Sequence, residues 1–145
     1  MKKNIFLVDD NEMDIMAIER ALEDKVQAGK ISLQVFNDGE AVINRLEEIQ
    51  KKNLYLDKTL PHLMILDLNM PKMGGIEVLE RIRNDPENKS MVVFILSTSS
   101  IPSEIKKAYQ NNVAGYLVKD EMGIGYEKLN EFLEAYSNNV SFPRK

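Results

Sequence analysis

Short apolar runs alternate along this chain with longer stretches in which apolar residues recur every three or four positions. NIFLV (4–8) has the length and character of a strand. After Asp9-Asp10 a helical spacing follows, with Met13, Met16, Ala17, Ala21 and Leu22 on one face and an end near Gly29. ISLQVF (31–36) alternates as a second strand, and Asp38-Gly39 opens a helix carrying Val42, Ile43, Leu46 and Ile49. KKNLYLDKTLPH (51–62) is a long connection with little periodicity. LMIL (63–66) is a third strand, and a helix from about Gly75 with Ile76, Leu79 and Ile82 stops at Asp85-Pro86. MVVFIL (91–96) is the fourth strand, Pro102 stands near the start of the next helix, and VAGYLV (113–118) is the fifth strand. A last helix presents Leu129, Phe132, Leu133 and Tyr136. Five strand–helix units with strands this apolar predict an α/β fold, a parallel sheet with helices on both faces.

The 145 residues fit one domain, read as a core of about 3–137 and a tail of 138–145 with no output domain. Zero cysteines exclude disulfides, thiolate catalysis and cysteine zinc sites, and the single histidine, His62, excludes a multi-histidine metal centre. His62 follows a proline just before a strand and reads as a loop residue. The net charge of −4 argues against nonspecific nucleic-acid binding. No apolar run approaches a membrane span, and IFLV is too short for a signal-peptide core, so a cytoplasmic protein is expected. The eight methionines are expected mostly in the core.

In an open parallel sheet, ligands bind outside the carboxyl ends of the strands. Those ends carry Asp9-Asp10, Asp67, Ser97-Thr98 and Lys119. Taken singly, Asp9-Asp10 could cap a helix, Ser97 a turn, and Asp67 and Lys119 could simply reach water. Together they form one pattern. Three converging carboxylates repel one another unless a cation joins them, and an all-oxygen donor set suits a hard ion such as Mg²⁺. A lysine ammonium and a hydroxyl complete what a phosphoryl group in transfer needs, and a carboxylate can itself be the nucleophile. Asp67, isolated from the pair and between two neighbouring strand ends, is best placed for that role.

IFLVDD (5–10), LDLNMPKMGG (66–75), ILSTSS (95–100) and GYLVKD (115–120), at this spacing, resemble the receiver domain of two-component response regulators. The resemblance implies a flavodoxin-like (βα)5 fold with strand order 2-1-3-4-5. It implies Asp67 as the phosphoacceptor, loaded from the phosphohistidine of a sensor histidine kinase or by a phosphotransfer protein. Asp10 would be a direct Mg²⁺ ligand, Asp9 its partner acting largely through water, and Asn69 a ligand through its backbone carbonyl. Ser97 would be the switch hydroxyl, Lys119 the ammonium that pairs with the phosphoryl group, and Tyr116 the aromatic that rotates inward. The face of the fourth helix, fifth strand and fifth helix would then dock a target protein or a second copy of the chain. Asp120 stands where most receivers have proline, and Thr98 where alanine is commoner. The long 51–62 connection is similar to single-domain receivers related to the cyanobacterial phytochrome response regulators.

Three other readings fit less well. A haloacid-dehalogenase-type phosphatase needs D-x-D, but Asn69 replaces the second aspartate. A flavin binder needs a first loop that cradles phosphate, which Asp9-Asp10 would repel; a P-loop NTPase is set aside separately, since no G-x-x-x-x-G-K-S/T appears. A degenerate receiver acting only as a binding module has no need of the full set of charged residues.

Overall fold

Every residue from Asn4 to Asp9 is buried, which places the first strand in the middle of a sheet rather than at its edge. The structure, a computed structural model, describes residues 2–52 and 61–143. The elements are β1 (Lys3–Val8), α1 (Glu12–Gln27), β2 (Ile31–Phe36), α2 (Gly39–Lys51), β3 (Leu63–Leu66), α3 (Gly75–Asn84), β4 (Val92–Ser97), α4 (Pro102–Gln110), β5 (Gly115–Val118) and α5 (Glu127–Asn139). All four strand pairings are parallel, in the order β2-β1-β3-β4-β5. The flavodoxin-like expectation is met. Of the long connection, residues 53–60 lie outside the described residues.

Strand alternation divides the interior in two. Phe6, Val8, Met64, Leu66, Val93 and Ile95 pack toward α2 and α3 with Val42, Leu46, Val78 and Leu79. Ile5, Leu7, Leu63, Ile65, Phe94 and Leu96 pack toward α1 and α5 with Ile18, Leu22, Leu129 and Leu133. The sheet stands between the two cores as a wall.

One expectation is corrected in α1. Its buried stripe is Ile15, Ile18 and Leu22, whereas Met13 is 78% exposed and Met16 56% exposed. Asn11 caps the helix by accepting from the Asp14 N–H at 3.0 Å. On the helix that follows, Ile18 and Leu22 pack against the sheet, Ala17 and Ala21 flank them, and the two methionines turn outward. Elsewhere methionine does pack inside: Met64, Met70 and Met91 are buried. His62 is a loop residue as read, its Nδ1 accepting from the Asn4 N–H at 2.9 Å and its ring edge-on to Phe142.

Two local devices fix the strand ends in place. Gly75, the first residue of α3, has no side chain because a Cβ there would lie 2.3 Å from the Asp67 carbonyl oxygen. Its N–H instead donates to the Leu68 carbonyl at 2.9 Å, pressing the start of α3 against the loop after β3. At the other end of α3, the Arg83 guanidinium donates to the carbonyls of Lys89, Met91, Asn111 and Asn112 at 2.8–3.0 Å. It thus ties α3 to the entry of β4 and the corner between α4 and β5.

Arg83→Met keeps most of the packing and strands these carbonyls. A loss of about 2–3 kcal/mol is expected, since hydrogen bonds to charged donors are worth more than neutral ones, and urea denaturation reads it.

Candidate functional site

β1, an interior strand, runs out at Asp9 and Asp10, and β3 beside it, the central strand, at Asp67. Each of the three aspartates offers a carboxylate oxygen within 4.8 Å of the others. Asp9 and Asp67 are buried, at 1% and 6% exposure, and Asp10 is exposed. The backbone holds them there: the Asp67 N–H donates to the Val8 carbonyl at 2.9 Å, and the Asp9 N–H to Phe36 at 3.1 Å. Asp9 Oδ1 accepts from the Asn11 N–H at 2.9 Å, and Asp67 Oδ1 from the Asn69 N–H at 3.3 Å.

Lys119, at the end of β5, is the cation of this cluster. Its side chain is 6% exposed, and Nζ lies 2.8 Å from Asp14 Oδ2, 2.9 Å from Asp9 Oδ2 and 3.8 Å from Asp67 Oδ2. Asp14, in the first turn of α1, also accepts the Tyr126 hydroxyl at 2.9 Å through Oδ1. Burial alone would lower the lysine's pKa, but Asp14 and Asp9 outweigh it and the pKa is raised. Tyr126 is likewise raised, by burial first and then by its bond to Asp14. The Lys119-Asp120 peptide is trans, and a short 3-10 turn over Lys119–Glu121 carries the chain away.

Ser97, fully buried at the end of β4, accepts from the Ser99 N–H at 3.1 Å and from Asn69 Nδ2 at 3.4 Å. Asn69 therefore bridges the third and fourth strand ends, reaching Asp67 with its backbone and Ser97 with its side chain. Tyr116 is half-buried against the α2–α3 core, and its hydroxyl donates to the Ser99 carbonyl at 2.9 Å. Thr98 is exposed. All seven residues singled out in the sequence thus lie at or beside one rim of the sheet.

The arrangement is electrostatically unfinished. Burial raises the Asp67 carboxyl to about 6; Lys119 opposes the shift, and Asp9 and Asp10 reinforce it. Asp9 Oδ2 is buried and sits in ion-pair range of Lys119, yet receives no aligned hydrogen bond. Clustered carboxylate oxygens with unused lone pairs fit a hard divalent cation.

Two residues of the site were not legible. Asp14 reads as an ordinary acidic residue in a first helical turn, and Tyr126 as part of a loop. The one available signal was spacing: Asp14 lies one helical turn past Asp10, so its side chain points back toward the strand end it follows.

The raised Asp67 pKa makes stability pH-dependent in a definite direction without metal. An unfolded aspartate ionises near 3.8, the folded one near 6, so stability falls as pH rises through that window. Asp67→Asn should be more stable than the parent at pH 7.5 by on the order of 1–2 kcal/mol, the advantage vanishing near pH 4. Urea midpoints across pH, in the presence of a chelator, provide the check.

Known proteins share both this fold and this sequence pattern. The family model of the response regulator receiver domain matches residues 5–129. Response regulator Rcp1 of Synechocystis is 33% identical over 81% of this chain and 76% of its own length. The structure of its Mn²⁺-bound form superposes with a TM-score of 0.80, covering 97% of this chain and 99% of that one at 29% identity. The phosphorylated cyanobacterial phytochrome response regulator RcpA gives a TM-score of 0.81 at 30% identity over 99% of both chains. A probable methanogenesis regulatory protein, FilR2 of Methanothrix harundinacea, is 32% identical over 90% of this chain and 78% of its own. With its fold, its rim of acidic residues and a family match across most of its length, the chain belongs to the response regulator receiver family.

Proposed function

We propose that this protein is a phosphoacceptor of a two-component relay in which Asp67 takes a phosphoryl group from a phosphohistidine of a sensor histidine kinase or phosphotransfer protein. The observation that carries the reading is the gathering of three carboxylates and one buried ammonium at the sheet rim. A carboxylate oxygen of Asp67 attacks phosphorus, the phosphorus–nitrogen bond breaks, and the bonding pair leaves with the imidazole, which takes a proton from solvent. Asp10, Asp9, Asp67 and the backbone carbonyl of Asn69 would hold Mg²⁺. Bound there, the ion offsets the charge of the carboxylates and the incoming phosphoryl oxygens. The relatives support this choice, since Rcp1 has been seen with Mn²⁺ and RcpA phosphorylated.

Lys119 supplies the second positive charge, 3.8 Å from the acceptor before transfer. The Ser97 hydroxyl, which now accepts from Asn69 and Ser99, donates its own proton to the phosphoryl group and is drawn toward it with its loop. Tyr116 now latches the β4–α4 loop through the Ser99 carbonyl; movement of that loop releases it to turn inward. The face of α4, β5 and α5 then changes shape. Ile101 and Tyr109, each about half exposed, give this face an apolar character suited to docking a target protein or a second copy of the chain. Among the described residues no helix is long and apolar enough to cross a membrane, which accords with a cytoplasmic relay. The protein acts as a signalling component rather than as an enzyme on a separate substrate, assisting its own loading and its own hydrolysis.

Intact mass after incubation with acetyl phosphate tests this. One phosphoryl adduct is expected, dependent on Mg²⁺ and absent from Asp67→Asn; equal labelling of that variant would refute the acceptor assignment. Lys119→Ala should still label partially, while amide shifts across α4 and β5 on labelling shrink several-fold relative to the parent.

A further inference from the structure

The nearest oxygen to the Lys119 ammonium belongs not to the acceptor but to Asp14, at 2.8 Å against 3.8 Å for Asp67. Asp14 is well placed to keep it. Its helix is phased by the Asn11 cap, and its other oxygen is held by the hydroxyl of Tyr126, itself 5% exposed in the core between the sheet and α5. The backbone of Tyr126 is fixed in turn, in the left-handed region at φ 59°, with its N–H donating to the Gly123 carbonyl. Asp14 is therefore a carboxylate held on both of its oxygens, about one quarter exposed, with one oxygen on the ammonium and the other on Tyr126.

From this geometry we infer that Asp14 is a positioning residue that competes with the acceptor site for Lys119, holding the ammonium in reserve until a phosphoryl group draws it across. The inference rests on the reading of Asp67 as phosphoacceptor and adds a determinant of how tightly the phosphoryl group is held. Two effects act in one direction. Asp14 offers Lys119 an alternative anion, and its charge repels an anion arriving at Asp67. Removing the charge while keeping the shape should therefore tighten the grip of the site on a phosphoryl-like anion. A merely structural role predicts the opposite, since loss of a structural contact would loosen the site and the fold together.

The test uses beryllofluoride in saturating Mg²⁺, an anion that mimics a phosphoryl group on an aspartate, with affinity read by amide NMR shifts. Asp14→Asn should bind it roughly fivefold to tenfold more tightly, as befits loss of a partly exposed charge a few ångströms away. Asp14→Glu should restore the parent affinity. In a Lys119→Ala background the gain from Asp14→Asn should fall to about twofold or less, because the competition requires the lysine. Tyr126→Phe, which leaves Asp14 with only the lysine to bind, should weaken binding by about twofold. Unchanged or weaker binding by a folded Asp14→Asn, or tighter binding by Tyr126→Phe, would overturn the inference while the parent's binding left the acceptor reading intact. Parent protein that failed to bind beryllofluoride, or bound it equally well as Asp67→Asn, would remove both.

Discussion

A single ammonium, inserted among carboxylates that would otherwise repel one another, is what the working end of this protein depends on. Lys119 touches Asp14 and Asp9 and approaches Asp67, and all four side chains are wholly or largely withdrawn from water. Removing one partner from such a cluster leaves charge uncompensated in a poorly solvated place, which costs far more than a surface ion pair is worth. Burial at the same rim, reinforced by Asp9 and Asp10, raises the Asp67 carboxyl to about 6 against the pull of Lys119. The site is held together by one lysine, yet it keeps a carboxylate whose charged form burial disfavours. Both properties follow from where the strands end.

The architecture creates that imbalance without any unusual backbone chemistry. A parallel sheet brings the carboxyl ends of β1, β3, β4 and β5 to one rim, and each contributes its last side chains there. The close approach of Gly75 to the Asp67 carbonyl holds one end of the rim. Arg83 secures the far end of α3 to the α4–β5 corner. Between these fixed points the β4–α4 loop is held by lighter means, chiefly the hydroxyls of Ser97 and Tyr116. The lighter tethers thus fall on the segment that the proposed function needs to move.

Much of this could be read in the sequence, and the reasons are physical. Five apolar runs of strand length left little choice of architecture, and a charged residue directly after a buried run signals a strand end with a purpose. Asp9, Asp10, Asp67 and Lys119 were legible on that ground, and Ser97 as the polar end of the fourth run. Met13 and Met16 were misplaced because the apolar residues of α1 extend over more than one face, and the spacing alone could not say which face the sheet would claim. Asp14 and Tyr126 were missed for a different reason. Their roles arise from a meeting between α1 and the loop before α5, 112 residues apart, which no local pattern encodes.

The wall-like sheet has a consequence for the reach of a signal. Ser97 and Tyr116 share strand parity with Ile95 and belong to the side of α2 and α3, whereas Lys119 shares parity with Leu117 and meets Asp14 of α1, which Tyr126 also holds. A group attached at the rim would be gripped from both sides at once, by a hydroxyl in one compartment and an ammonium in the other. The protein is in that sense a balance with two pans, each resting on its own core. A change in one pan can be damped or amplified by mutation with little disturbance of the packing beneath the other, so two partners reading opposite sides could diverge in evolution while sharing one covalent event.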